Sequence, residues 1–237
     1  MRNSIWKAVQ DAIRNSPSVL INTFSGRLCN KSQQAVSFES RAAFNRLVSS
    51  MTTCIDDVRI KHEVTEYYRY RMLLHEWEDN ESLFESVVRI MVHDLEESPN
   101  HDKLKMFCKI VQDAGLDWAW SDACCISKVD HLILEKGLVS MMKWYQGSSL
   151  TIVFLFDVLS PSRCGDLMRS MRNSQACTFQ AYHTSKMVRF YTNDWSPYLN
   201  LDIPNHKELP KIIWEMKGVS AQLGLDDIRQ KFCLAST

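Results

Sequence analysis

The chain has 237 residues, 45% of them hydrophobic, enough to bury one large core or one domain with an N-terminal extension. Lys+Arg and Asp+Glu both number 28, so net charge supports no nucleic-acid, membrane-surface or acidic partner. The first residues lack the uninterrupted apolar core of a secretory signal, and the most apolar run, Leu150 to Phe156, is too short to cross a bilayer; a cytoplasmic protein without a membrane span is expected.

Along the chain, Trp6, Val9 and Ile13 recur at helical spacing until Ser16-Pro17 stops the pattern. Between Ser25 and Thr53, Phe44, Leu47 and Val48 allow a second helix. Residues 1–65 read as a helical N-terminal accessory segment, and residues 66–237 as the main domain. Tyr68 to Leu74 alternates aromatic and basic residues before turning apolar, as a strand entering a sheet does. Phe84, Val87, Val88 and Met91 share one face of a helix expected over Leu83 to Asp94. After Pro99-Asn100, Leu104, Phe107, Cys108 and Val111 mark another helix, and Gly115 is placed to close it in the left-handed region.

Leu116 to Ala123 is the next strand, and Asp130 can cap a helix carrying Leu134, Leu138, Met141, Met142 and Tyr145, with Gly147 beyond it. Leu150 to Phe156 is apolar apart from Thr151, which suits a strand covered on both faces. Pro161 and Ser162 open a helix near Leu167 to Met171; a last strand, Met187 to Tyr191, precedes a helix around Leu209 to Leu223. Strands alternate with helices, so the expected fold is α/β, a mostly parallel sheet flanked by helices.

In such a sheet, ligand sites gather at the carboxyl ends of strands. Four exits would converge there, offering His75, Glu76 and Trp77, then Asp122 and Cys124, then Asp157, and finally Asn193, Asp194 and Trp195. A histidine with two carboxylates can perform acid and base chemistry. An Asp at a strand exit more often caps the next helix or binds loop amides, and a histidine among apolar and aromatic residues is more often a hydrogen-bonded core or rim group than a catalyst. Cys124 occupies a nucleophile-like position without an identifiable histidine partner, so an inert thiol is the expectation. The eight cysteines lack CxxC spacing and read as reduced and mostly buried; no metal site is expected. The seven glycines form neither GxGxxG nor a P-loop. Tyr67 to Arg71 mixes aromatic and basic residues as a single-strand nucleic-acid binder does, but neutral overall charge favours a strand edge.

Four ordered blocks carry a family resemblance. Tyr67 to Asp79 (YYRYRMLLHEWED) resembles an opening strand in which Leu-Ser precedes Tyr or His and then Trp. Trp118 to Lys128 (WAWSDACCISK) is similar to a Trp-x-Asp-x-x-Cys-Ile block, with Asp122, Cys125 and Ile126 in place. Leu138 to Val158 has Ser140, Met141, Trp144, Tyr145 and the strand ending at Asp157, and Ala176 to Trp195 resembles an Arg-Gly-Trp-Thr-Leu-Gln-Glu segment with the strand after it. In this order the blocks resemble the fungal heterokaryon incompatibility (HET) domain, in degenerate forms found in mushroom-type fungi.

The resemblance implies an intracellular signalling module of non-self recognition whose activation leads to regulated cell death, with a protein partner or self-association. It also implies a fold distantly similar to Toll/interleukin-receptor (TIR) domains, some of which cleave NAD. On that basis His75, Glu76, Asp122 and Asp157 are the catalytic candidates, and Trp77, Cys125 and Gln180 the ligand-binding ones. The chain departs from the pattern at Leu74, Glu76, Ser127, Gln175, Cys177 and Ala181. Gln175 and Ala181 replace the fourth block's Arg and Glu, a pair able to bind an anion or move a proton. A weakly catalytic or non-catalytic domain is therefore expected, with no cofactor. The alternatives are a NAD-cleaving enzyme, with NAD as substrate or ligand, and an inactive, C-terminally truncated paralogue.

Overall fold

The computed structural model of the protein describes residues 2–50, 56–76, 84–127, 129, 131–170 and 176–222, with backbone alone at 131–134, 136, 138, 176–178 and 180. The chain divides into two compact units, one comprising Met1–Leu73 and Trp77–Ser149, the other Leu74–Glu76 and Leu150–Thr237.

In the first unit, α1 (Arg2–Arg14) buries Ile5, Val9 and Ile13, four residues apart on one stripe, while Trp6 stays half-buried. A hairpin that sequence periodicity did not reveal comes next, β1 (Val19–Asn22) with β2 (Arg27–Asn30). Asn22 Oδ1 accepts from the Ser25 N–H at 2.9 Å, and Gly26 supplies the positive φ of 68° that its turn requires. The N-terminal segment is thus not purely helical. Its strand β1 pairs antiparallel with β4 (Trp118–Ser121), Ile21 opposite Ala119, and β4 runs parallel to β3 (Tyr70–Leu74), Tyr70 opposite Trp118. The result is a mixed sheet, with the expected parallel pair at one side and the hairpin at the other.

The helices of this unit follow local rules. An Asn30–Gln33 capping box opens α2 (Lys31–Glu39), α3 (Ala42–Ser50) buries Phe44 and Leu47, and Asp56 caps α4 (Asp57–Tyr67). The helix expected over Leu83 to Asp94 is a correction. Among the described residues only α5 (Phe84–Val87) and a 3-10 turn (Val92–Asp94) form there, and residue 83 lies outside them. The Val92 N–H donates to the Gly26 carbonyl at 2.7 Å, and His93 Nε2 meets the Thr23 carbonyl at 3.0 Å, so bonds to the hairpin turn replace helical ones. Ser98 and Pro99 start α6 (Pro99–Asp113), which buries Leu104, Phe107, Cys108 and Val111 as the spacing predicts, and Gly115 follows at φ 74°. Four residues of α7 (Asp122–Cys125) and then α8 (His131–Gly147) complete the unit; the Asp130 cap, and the side chains of Leu134 and Leu138, lie outside the described residues. Trp118 and Trp120 are fully buried: Trp118 stacks near Tyr68, Trp120 meets Trp144 and Tyr145 edge-on, and the Tyr70 hydroxyl donates to the Trp144 carbonyl at 2.6 Å.

The second unit is built on a parallel pair, β5 (Leu150–Phe154) and β6 (Val188–Tyr191), with Thr151 opposite Val188 and Phe154 opposite Tyr191. Every residue of β5 is buried, as its unbroken apolar run requires, and Thr151 is satisfied by the Ser185 hydroxyl at 2.6 Å. Helices α9 (Asp166–Arg169), α10 (Ala176–Thr184) and α11 (Pro210–Gln222) belong to this unit; Met171 and Leu223, the expected ends of two helices, lie outside the described residues. The α/β fold class read from the sequence holds in both units.

Candidate functional site

In the second unit the exits of β5 and β6 lie side by side. The Leu155 N–H donates to the Tyr191 carbonyl at 2.8 Å, and the Asn193 N–H donates to the Val158 carbonyl at 3.0 Å. Beyond β6, Thr192 Oγ1 donates to Asp194 Oδ1 at 2.7 Å and the Ser196 N–H donates to the same oxygen at 3.0 Å. Those bonds, the hydroxyl first, hold the Asp194 carboxyl below its ordinary value and explain its place in the turn. Trp195 follows at φ 64°, a rare conformation for a bulky residue, with its ring 4.6 Å from Phe154 and 5.9 Å from Tyr191.

Beyond β5 lies a cleft of about 400 Å³. Asp157 stands on its wall, exposed, and Ser170, itself buried, donates its hydroxyl to Asp157 Oδ1 at 2.7 Å. Arg163 and Arg169 line the same cleft. Asp166 links them: its Oδ2 takes the Arg163 backbone N–H at 2.6 Å, and its Oδ1 pairs with the Arg169 guanidinium at 2.7 Å. The Arg163 carbonyl accepts the hydroxyl of Tyr198 at 2.8 Å, and Tyr198 is fully buried. Sequence reasoning found Asp157 and missed both arginines. The available signal is Arg163 and Arg169 on either side of Asp166, in the loop and short helix well past the end of β5, which is weak by itself.

A second cavity of about 210 Å³ is lined by Phe179, Tyr182, His183, Lys207 and Met216. Burial lowers the Lys207 ammonium from its ordinary value, yet Nζ is engaged by the carbonyls of His183 and Ser185 at 2.9 and 2.8 Å, which cap the end of α10.

At the exit of β4, in the first unit, Asp122 is half-buried and opens α7. Cys124 and Cys125 follow, both buried, their sulfurs 4.0 Å apart. The Cys124 thiol lies well above its ordinary range, first through its contact with Cys125 and then through burial, and burial raises Cys108 as well. These are packing thiols rather than nucleophiles. Cys29 is also a buried free thiol, and Cys164, next to Arg163, is exposed.

The sequence candidates are therefore divided. Asp122 and Cys125 belong to the first unit; His75, which is buried, Glu76 and Asp157 belong to the second. Trp77 and the Gln180 side chain lie outside the described residues, as does Gln175. Among the described residues no group of three His, Cys, Asp or Glu side chains can hold a metal ion. No described helix is long and apolar enough to cross a membrane.

The family model of the heterokaryon incompatibility protein (HET) matches residues 70–209, more than half of the chain. The protein belongs to the HET family. The HET region begins with β3 and ends just before α11, so the strand exits and the arginine-lined cleft all fall within it. Membership connects the protein to heterokaryon incompatibility in general. No curated protein and no solved structure matches the chain.

Proposed function

We propose that this HET protein is an intracellular signalling and interaction module of non-self recognition, whose association with a protein partner or with itself leads to regulated cell death without strong catalysis of its own. Family membership over residues 70–209 is the observation that carries the reading. Support for weak catalysis comes from Ala181, which stands where related sequences carry a Glu and is fully buried, so the position offers no carboxylate. On α11, Ile213 and Trp214 are exposed, at 38% and 58%, as apolar surface suited to contact. Inducible expression in a fungal host, with viability and cellular NAD followed together, tests the proposal. Death with NAD preserved, unchanged by Asp122→Ala and Glu76→Ala, is expected; healthy cells overturn it.

A second reading, NAD cleavage on a TIR-like fold, draws on Glu76. Its Oε2 is buried and has no hydrogen-bond partner among the described residues. Falling NAD that requires Glu76 would favour this enzyme over the interaction module.

A further inference from the structure

We propose that the cleft beyond β5 is a binding site for a phosphorylated sugar, taken either free or as the sugar phosphate of a nucleotide. Its volume of about 400 Å³ falls within the roughly 300–1,000 Å³ of small-molecule sites. The two arginines on its wall are placed differently. The Arg169 guanidinium is already balanced by Asp166, whereas Arg163 has no ion-pair partner among the described residues. Its backbone is held, because the N–H is fastened to Asp166 and the carbonyl to the buried Tyr198 hydroxyl, while its side chain is exposed on the cleft wall. A braced backbone fixes where the side chain starts from, and the guanidinium fork matches phosphate oxygens in pairs.

Asp157 decides the rest of the ligand. Its carboxylate accepts the Ser170 hydroxyl and can only accept, so it repels a bare anion and suits a group rich in hydroxyls. Pro161 adds an apolar wall. Oxyanion against Arg163 and hydroxyls against Asp157 is the pattern of a sugar phosphate.

Calorimetric titration of the full chain with ribose 5-phosphate, AMP, inorganic phosphate and ribose tests it, with Arg163→Ala and Asp157→Asn as variants and thermal melts to confirm their folding. Saturable binding of ribose 5-phosphate or AMP is expected, weakened about tenfold or more by Arg163→Ala. Ribose alone should not bind. Asp157→Asn should weaken the sugar phosphates while leaving inorganic phosphate bound as well or better, because a repelling charge is gone. Binding of AMP alone assigns the sugar phosphate to a nucleotide; binding of ribose 5-phosphate assigns it to the free form. The proposal is overturned by no saturation with either up to about 10 mM, by unchanged affinity in Arg163→Ala, or by inorganic phosphate binding as tightly as ribose 5-phosphate.

Discussion

His206 Nδ1 accepts the backbone N–H of Phe190 at 3.1 Å, while its Nε2 lies 2.7 Å from the Leu201 carbonyl. The pair of contacts sets the tautomer as neutral with the proton on Nε2, since a proton on Nδ1 would face the Phe190 N–H. Burial depresses the imidazole below its ordinary value of 6.5, opposed by the Leu201 bond. A depressed histidine contributes stability that is complete above the ordinary value and declines as pH falls from there toward the folded value. Urea midpoints should therefore drop as pH falls below about 6.5, and His206→Gln should flatten that slope. Equal slopes in the two proteins would remove His206 from the account.

The Tyr198 hydroxyl lies between the Arg163 carbonyl and the Glu215 carboxyl, 3.0 and 3.1 Å from its oxygens, and Glu215 is fully buried. Tyr198→Phe keeps the ring and takes the hydroxyl from both. A loss of about 1–3 kcal/mol is expected from chemical denaturation, because the Arg163 carbonyl, the Leu167 N–H and the buried Glu215 carboxyl each lose a contact. Sugar-phosphate affinity should fall in step, because Arg163 loses one of its two anchors.

Ser170→Ala removes a single hydroxyl from Asp157 and should lower stability by only about 0.5–1.5 kcal/mol. Asp157 is exposed, so water can replace the lost donor. A loss several times larger would mean that this bond holds the cleft wall together.

Thiol labelling of the native protein, mapped by mass spectrometry, should modify Cys164 well before Cys29, Cys108, Cys124 or Cys125. Cys164 is exposed, while the other four are buried out of reach, and the thiols of Cys29, Cys108 and Cys124 lie above their ordinary value. Labelling of Cys124 at a comparable rate would contradict the packing role assigned to it.

What the sequence determined by itself is local. Leu104, Phe107, Cys108 and Val111 announced α6, and the apolar run from Leu150 announced β5, because each buries its pattern within one window of chain. The ordered blocks from Tyr67 to Trp195 likewise pointed to the family that residues 70–209 match. Tertiary structure decided the rest. The four-residue strands β1 and β2 owe their state to pairing with each other and, at Ile21, with Ala119, nearly a hundred residues away in sequence. The expected helix before Asp94 gave way because Gly26 offered Val92 a carbonyl. Arg163 became part of a cleft only through Tyr198, a residue thirty-five positions later. Periodicity reports which side of a segment is covered; it carries no record of which distant group supplies the last hydrogen bond, and that bond fixes where a site forms.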